Sequence, residues 1–175
     1  MEKAITYVGS PKLTSFDILL WQSEMNAIEE GWKCNQSDNE IVKTVAAIQN
    51  MMARTPAYVI EKTKPEEVPH LLSSEYETYS KIFHSYNWAV QLKAMMSHDI
   101  SKNFNGSLRE TAKSVKTKLF IILSSTDLIV NPKPALEFSK LINAQTHVFE
   151  NNCGHLAAGC EMETFKEMIR DFFDD

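Results

Sequence analysis

From residue 108 onward, helix-like and strand-like patterns alternate, and this alternation restricts the fold more than any other feature of the chain. A short amphipathic segment, Leu108–Val115, leads into the β-prone run Lys118–Leu123. A helix is expected from about Pro134 to Ile142, a strand at Thr146–Glu150, and a last helix over about Glu163–Phe173. Elements in that order build parallel βαβ units. The segment Lys3–Val8 also alternates and stops at the turn signal Gly9-Ser10-Pro11, which adds a third strand.

The residues between the first strand and the second have a different texture. A helix is expected to begin near Thr14 or Ser15, with Asp17 in its first turn, and to run to Gly31. Phe16, Leu19, Leu20, Ala27 and Ile28 form its apolar stripe. A second helix runs from Ser37-Asp38 to Ala53, with Ile41, Val45, Ile48, Met51 and Met52 inward. Pro56, Pro65 and Pro69 break the chain into short pieces, and one long helix is expected from about Ser74 to Ser97. The chain therefore divides into a partial α/β core of three parallel strands with flanking helices, residues 1–11 and 106–175, and a large helical insertion, residues 12–105. Such an excursion between strands usually forms a lid over an active site. Met25, Met51, Met52, Met95 and Met96 all fall in it and could line an apolar acyl pocket, though their fit to the helical stripes favours core packing. His98 is read as a helix-end residue favoured by the dipole.

Composition closes off several functions. With 175 residues, 43% of them apolar and 23% charged, the chain suits one ordinary globular core. A net charge of −5 and the lack of a basic cluster argue against nucleic-acid and anionic-membrane partners. Apolar runs such as Leu119–Leu123 are too short to span a bilayer, and Met1-Glu2-Lys3-Ala4 does not open a leader peptide. Cys34, Cys153 and Cys160 make an odd count without framework spacing, so they are read as free thiols in a reducing cytoplasm. Cys153, His155 and Cys160 match no common zinc spacing.

Two loops carry the chemistry. Asp127, in Ser124-Ser125-Thr126-Asp127, lies just beyond the strand Lys118–Leu123, at the end where ligands bind in open α/β sheets. It can orient an imidazole, or it can cap the turn before Asn131-Pro132. His155, in Asn152-Cys153-Gly154-His155, follows the next strand and can shuttle a proton or serve as a structural histidine. Their order, acid before histidine with a helix and a strand between, is that of the Ser…Asp/Glu…His triad. No G-x-S-x-G elbow occurs in the sequence. Ser10 precedes a proline that has no N–H to offer an oxyanion, and Ser124 and Ser125 share the acid's own loop. Nothing local marks Cys153 as a low-pKa thiolate.

Taken together, these residues resemble the carboxyl-terminal half of the homoserine O-acetyltransferase family of α/β-hydrolase-fold acyltransferases. Lys3–Pro11 looks like the strand that follows the nucleophile elbow and its helix. Ala27-Ile28 resembles the first lid helix; Asn87-Trp88, Ala94 and His98-Asp99-Ile100-Ser101 resemble the long one. Asp127 and Gly154-His155 fall at the triad acid and base. The resemblance implies acyl transfer from acyl-CoA, as co-substrate, to a hydroxyl through an acyl-serine, with Asp127 orienting His155. No bound cofactor or metal is implied. Leu156 stands where the family has an acidic residue for the substrate amine, and Glu24 and Met25 occupy the region of an arginine for the substrate carboxylate. A less polar alcohol than homoserine, or water, is therefore expected as acceptor. The chain is read as the acid-and-histidine half of a serine acyltransferase or hydrolase (a truncated product, a fragment, or one part of a split enzyme completed by an amino-terminal polypeptide). The alternative is a non-catalytic remnant. The edge of Lys3–Val8 is expected to be open to a partner or to self-association.

Overall fold

The computed structural model describes residues 2–174. Strands β1 (Lys3–Tyr7), β2 (Lys118–Ser124) and β3 (Gln145–Phe149) form one parallel sheet in the order β1-β2-β3. Ile5 lies opposite Phe120, and Ile122 opposite His147. The central strand is buried from Phe120 to Ser124, and its alternate side chains serve two faces. Phe120 and Ile122 pack with Ala157 of the short helix α8 (Ala157–Cys160) and Phe172 of α9 (Met162–Asp174). Ile121 and Leu123 pack with Ala135 and Leu136 of α7 (Lys133–Ile142). Helices on both faces are what a parallel sheet requires, because neither face can be left to water.

Six α-helices of the described residues lie between β1 and β2 in sequence. They are α1 (Ser15–Lys33), α2 (Asp38–Ala53), α3 (Pro56–Lys62), α4 (Val68–Ser80) and α5 (Ser85–Met96), followed by α6 (Leu108–Ser114) before β2. Thr14 with Asp17, and Ser37 with Glu40, close reciprocal capping boxes that fix the starts of α1 and α2. Trp21, Met25 and Ile28 of α1, Ile41 and Val45 of α2, and Leu92 of α5 form a core of their own. Ile129, in the loop after β2, belongs to that same core, so the helical layer is seated on the carboxyl end of the sheet. Among the described residues, no helix is long and apolar enough to cross a membrane.

The expected helix Ser74–Ser97 is instead two helices, α4 and α5, separated at residues 81–84. The amides of Ile82 and Phe83 both turn back onto the Tyr79 carbonyl, and His84 is extended. Asp38, from α2, then accepts the Ser85 amide at 2.8 Å and caps α5 from outside. The break brings the Tyr79, Phe83 and Trp88 rings together, with centroids 5.1–6.2 Å apart. The prolines also act differently from expectation. Pro56 and Pro69 sit in the first turns of α3 and α4, where a missing N–H costs nothing, so they begin helices rather than only interrupt them. Met25 is buried as expected, whereas Met51 is 71% exposed and takes no part in the core.

Phe172 and Phe173 test this packing side by side. Phe172 is fully buried beneath Phe120, and Phe173 is 52% exposed. Phe172→Ala is expected to destabilise the chain by about 3–5 kcal/mol. Phe173→Ala should stay within about 0.5 kcal/mol. Urea midpoints at unchanged slope measure both.

Candidate active site

Asp127 and His155 come from loops at the carboxyl ends of β2 and β3, and the fold brings them into direct contact. His155 Nδ1 lies 2.9 Å from Asp127 Oδ2. The other carboxylate oxygen, Oδ1, accepts the amides of Ile129 at 2.8 Å and Val130 at 2.9 Å. One carboxylate oxygen thus caps the turn while the other faces the imidazole. The Asp127 side chain is 1% exposed and that of His155 is 25% exposed, so the acid is sealed while the ring keeps an open side. Among the described residues, His155 Nε2 has no hydrogen-bond partner.

The loops are tied to each other and to the lid. Thr126 Oγ1 donates to the Asn151 carbonyl at 2.9 Å, and the Ser125 amide donates to the Phe149 carbonyl at 3.0 Å. Tyr7, at the end of β1, donates its hydroxyl to the His155 carbonyl at 3.0 Å and accepts the Ala158 amide at 3.1 Å. Burial raises the Tyr7 pKa and keeps the phenol a donor. Thr55 Oγ1, just past α2, donates to the Asn152 carbonyl at 2.5 Å. Gly154 has φ +64°, and a Cβ there would stand 2.9 Å from the Ala53 carbonyl oxygen. Only glycine meets both the left-handed turn and that close approach. On the lid side, Asp17 Oδ1 accepts the Asn131 amide at 2.8 Å, so the α1 cap residue also holds the acid loop.

A cavity of about 370 Å³ adjoins His155, with Trp21, Tyr79, Phe83, Trp88 and Met95 in its walls. Glu24 also borders it. Its Oε2 accepts the Trp88 indole N–H at 3.0 Å, while Oε1 is buried without a partner. Burial pushes the Glu24 carboxyl up to about 7, although the indole bond pulls the other way. Val8 borders the same cavity and has φ 47°, an uncommon conformation for a β-branched residue.

Several residues escaped the sequence reading. Tyr7 and Thr55 act through contacts distant in sequence, which no local pattern announces. Glu24 did carry a signal: it stands four residues from both Leu20 and Ile28, on the buried face of α1. The cysteine expectation is corrected. Cys153 and Cys160 are joined as a disulfide with Cα atoms 6.5 Å apart, and only Cys34 is free. The turn carrying His155 and the short α8 bring the two residues back within bonding reach, and this removes the thiol-based argument for a reducing compartment. His98 lies just beyond α5, and its Nε2 is 3.1 Å from the Ser10 carbonyl oxygen, so it also joins the helix end to the β1 loop. Ser10 Oγ is engaged with the Lys12 carbonyl, away from the histidine.

Comparison with solved structures bears on the fold. An acetylester hydrolase from Corynebacterium glutamicum superposes with a TM-score of 0.84 at 17% identity, over 99% of this chain and 54% of that one. A homoserine O-acetyltransferase from Bacillus anthracis gives 0.82 at 17% identity, over 100% of this chain and 54% of that one. Esterase E22 gives 0.79 at 14% identity, over 98% and 54% respectively. The chain spans about half the length of these structures. No family model matches the chain, and no curated protein matches it. The fold is a partial α/β-hydrolase fold with a large helical lid.

Two measurements probe the site's construction. Tyr7→Phe leaves the Ala158 amide and the His155 carbonyl without their partner, and is expected to destabilise the fold by about 1–3 kcal/mol in urea unfolding. Glu24 binds its proton more tightly when folded than when unfolded, so its contribution is fully present below pH 4.5 and is lost as pH rises through about 7. Wild-type stability relative to Glu24→Gln should therefore fall by about 3 kcal/mol between pH 4.5 and pH 8. A flat difference would refute the buried-acid assignment.

Proposed function

We propose that this chain supplies the acid and the base of a Ser-His-Asp acyl-transfer site, with the nucleophilic serine provided by residues outside these 175. The observation that carries the reading is the 2.9 Å contact between His155 Nδ1 and a sealed Asp127 carboxylate, with His155 bordering a cavity. The resemblance to acetylester hydrolase and acetyltransferase structures supports acetyl or another short acyl group as the moiety moved.

In this mechanism Asp127 holds Nδ1–H and thereby leaves Nε2 as the basic nitrogen. Nε2 takes the serine proton as Oγ attacks the acyl carbonyl. The resulting imidazolium is stabilised by the adjacent carboxylate and returns its proton to the leaving group, a thiolate from acyl-CoA or an alkoxide from an ester. The acyl-serine is then opened by an alcohol or by water, activated by the same Nε2. Of this chain's residues, His155 alone moves protons, and Asp127 orients and stabilises it.

β1 pairs only with β2 among the described residues, leaving its outer edge open. That edge favours a second reading, a non-catalytic chain that binds a strand-bearing partner. One experiment separates the two. Alone, the chain is expected to hydrolyse no p-nitrophenyl acetate above background. A polypeptide carrying the missing strands and a G-x-S-x-G elbow should restore turnover. His155→Ala should abolish that turnover, and Asp127→Asn should reduce it by about 10⁴-fold. Binding without turnover would favour the second reading, and turnover by the chain alone that survives Cys153→Ala would contradict the first.

A further inference from the structure

Glu24 is an unusual residue to find where it is. It has no exposed surface, it borders the cavity beside His155, and one of its two carboxyl oxygens has no hydrogen-bond partner. A buried polar atom without a partner is costly unless something else completes it. No lysine or arginine lines this cavity, and the titratable groups facing it besides Glu24 are Tyr79 from α4 and His155. The surrounding wall is aromatic: Trp21, Tyr79, Phe83 and Trp88. Trp88 turns its N–H edge to Glu24, and a carboxylate in an otherwise aromatic-lined cavity is complementary to a cation, because ring faces and carboxylates attract the same charge.

We propose that this cavity is the subsite for an ammonium group of the substrate, with Glu24 Oε1 as its counter-charge and the aromatic rings as its walls. The assignment rests on the acyl-transfer reading of His155 and Asp127, and narrows its substrate to amine-bearing alcohols or esters. It also inverts the charge of the region, since the resemblance drawn from the sequence implies an arginine for a substrate carboxylate there. Glu24 thus replaces the expectation of a less polar acceptor with one carrying a positive charge. Glu24 has no exposed surface, so binding at Oε1 requires neighbouring side chains to move, and Met95 and Gln91 share the cavity with it.

The full chain can be tested without turnover. The Trp88 indole N–H donates to Glu24 Oε2, so its nitrogen–proton resonance reports directly on the carboxyl. Titration with n-butylammonium at pH 8 is expected to shift that resonance saturably, with a dissociation constant at least tenfold lower than for 1-butanol. The preference should weaken at least tenfold between pH 8 and pH 5.5, as Glu24 takes up its proton. Glu24→Gln keeps an oxygen for the indole and should bind the two probes equally, at all pH values. His155→Gln should retain the pH dependence, which separates Glu24 from the histidine. Should Glu24→Gln fail to fold, the wild-type preference for butylammonium over butanol and its pH dependence decide the matter. Equal affinity for the two probes, no saturable shift, or an unaltered preference in folded Glu24→Gln would overturn the proposal. An ammonium preference in a complex that never hydrolyses esters would overturn only the acyl-transfer reading; ester turnover without that preference would overturn only the subsite.

Discussion

Everything at the carboxyl end of the sheet depends on the buried carboxylate of Asp127. An isolated charge there would cost several kcal/mol in lost hydration. Three hydrogen-bond contacts offset this: two backbone amides at Oδ1 and the imidazole at Oδ2. The same contacts shape the chain around it. The two amides curl the loop so that Ile129 enters the helical core and the Asn131 amide reaches Asp17 of α1. One carboxylate thereby joins the sheet, the histidine loop and the lid, and removing its charge would loosen all three.

The histidine loop is held by a different kind of restraint, mostly backbone groups. Tyr7 takes the His155 carbonyl, Thr55 takes the Asn152 carbonyl, and Gly154 lets the α2 end approach within a distance no Cβ would allow. The Cys153–Cys160 bond closes the same turn. Such a loop arrives already ordered, which matters for proton transfer because a ring displaced by an ångström loses most of its advantage. The cavity side is built otherwise. Met95 and the aromatic cluster offer shape and polarisability rather than a rigid grid. A well-tied loop and an adaptable cavity wall thus meet at His155, the pairing that the proposed acyl transfer would use.

How much of this was legible depended on whether the cause was local. The three strands, their parallel order and the succession of acid loop, helix, strand and histidine loop all follow from short-range patterns, and they appear as expected. The break between α4 and α5 was invisible because its cap, Asp38, lies on another helix. The cysteine pair was missed because a spacing of seven residues closes only when a 3₁₀ turn and a short helix intervene. Glu24 is intermediate. Its position on the buried face of α1 could be counted from the stripe, but the unpartnered oxygen and the aromatic neighbours from α4 and α5 emerge only in three dimensions.

The open edge of β1 and the position of His155 are linked by topology. In a parallel sheet every strand delivers its following loop to the same end, and here that end carries Asp127, His155 and the lid. Val8 marks the place, since it follows β1, still donates its amide to Ile122 of β2, and already borders the cavity. A strand added parallel to β1 would continue this row and bring its own loop to the same end of the sheet as His155. Under the proposed acyl-transfer reading, that edge is the one from which a nucleophile would approach, and completing the sheet would also complete the site. A strand pairing antiparallel to β1 would satisfy the same hydrogen bonds but send its loop to the opposite end, so pairing direction would separate an assembled catalytic site from a mere docking edge.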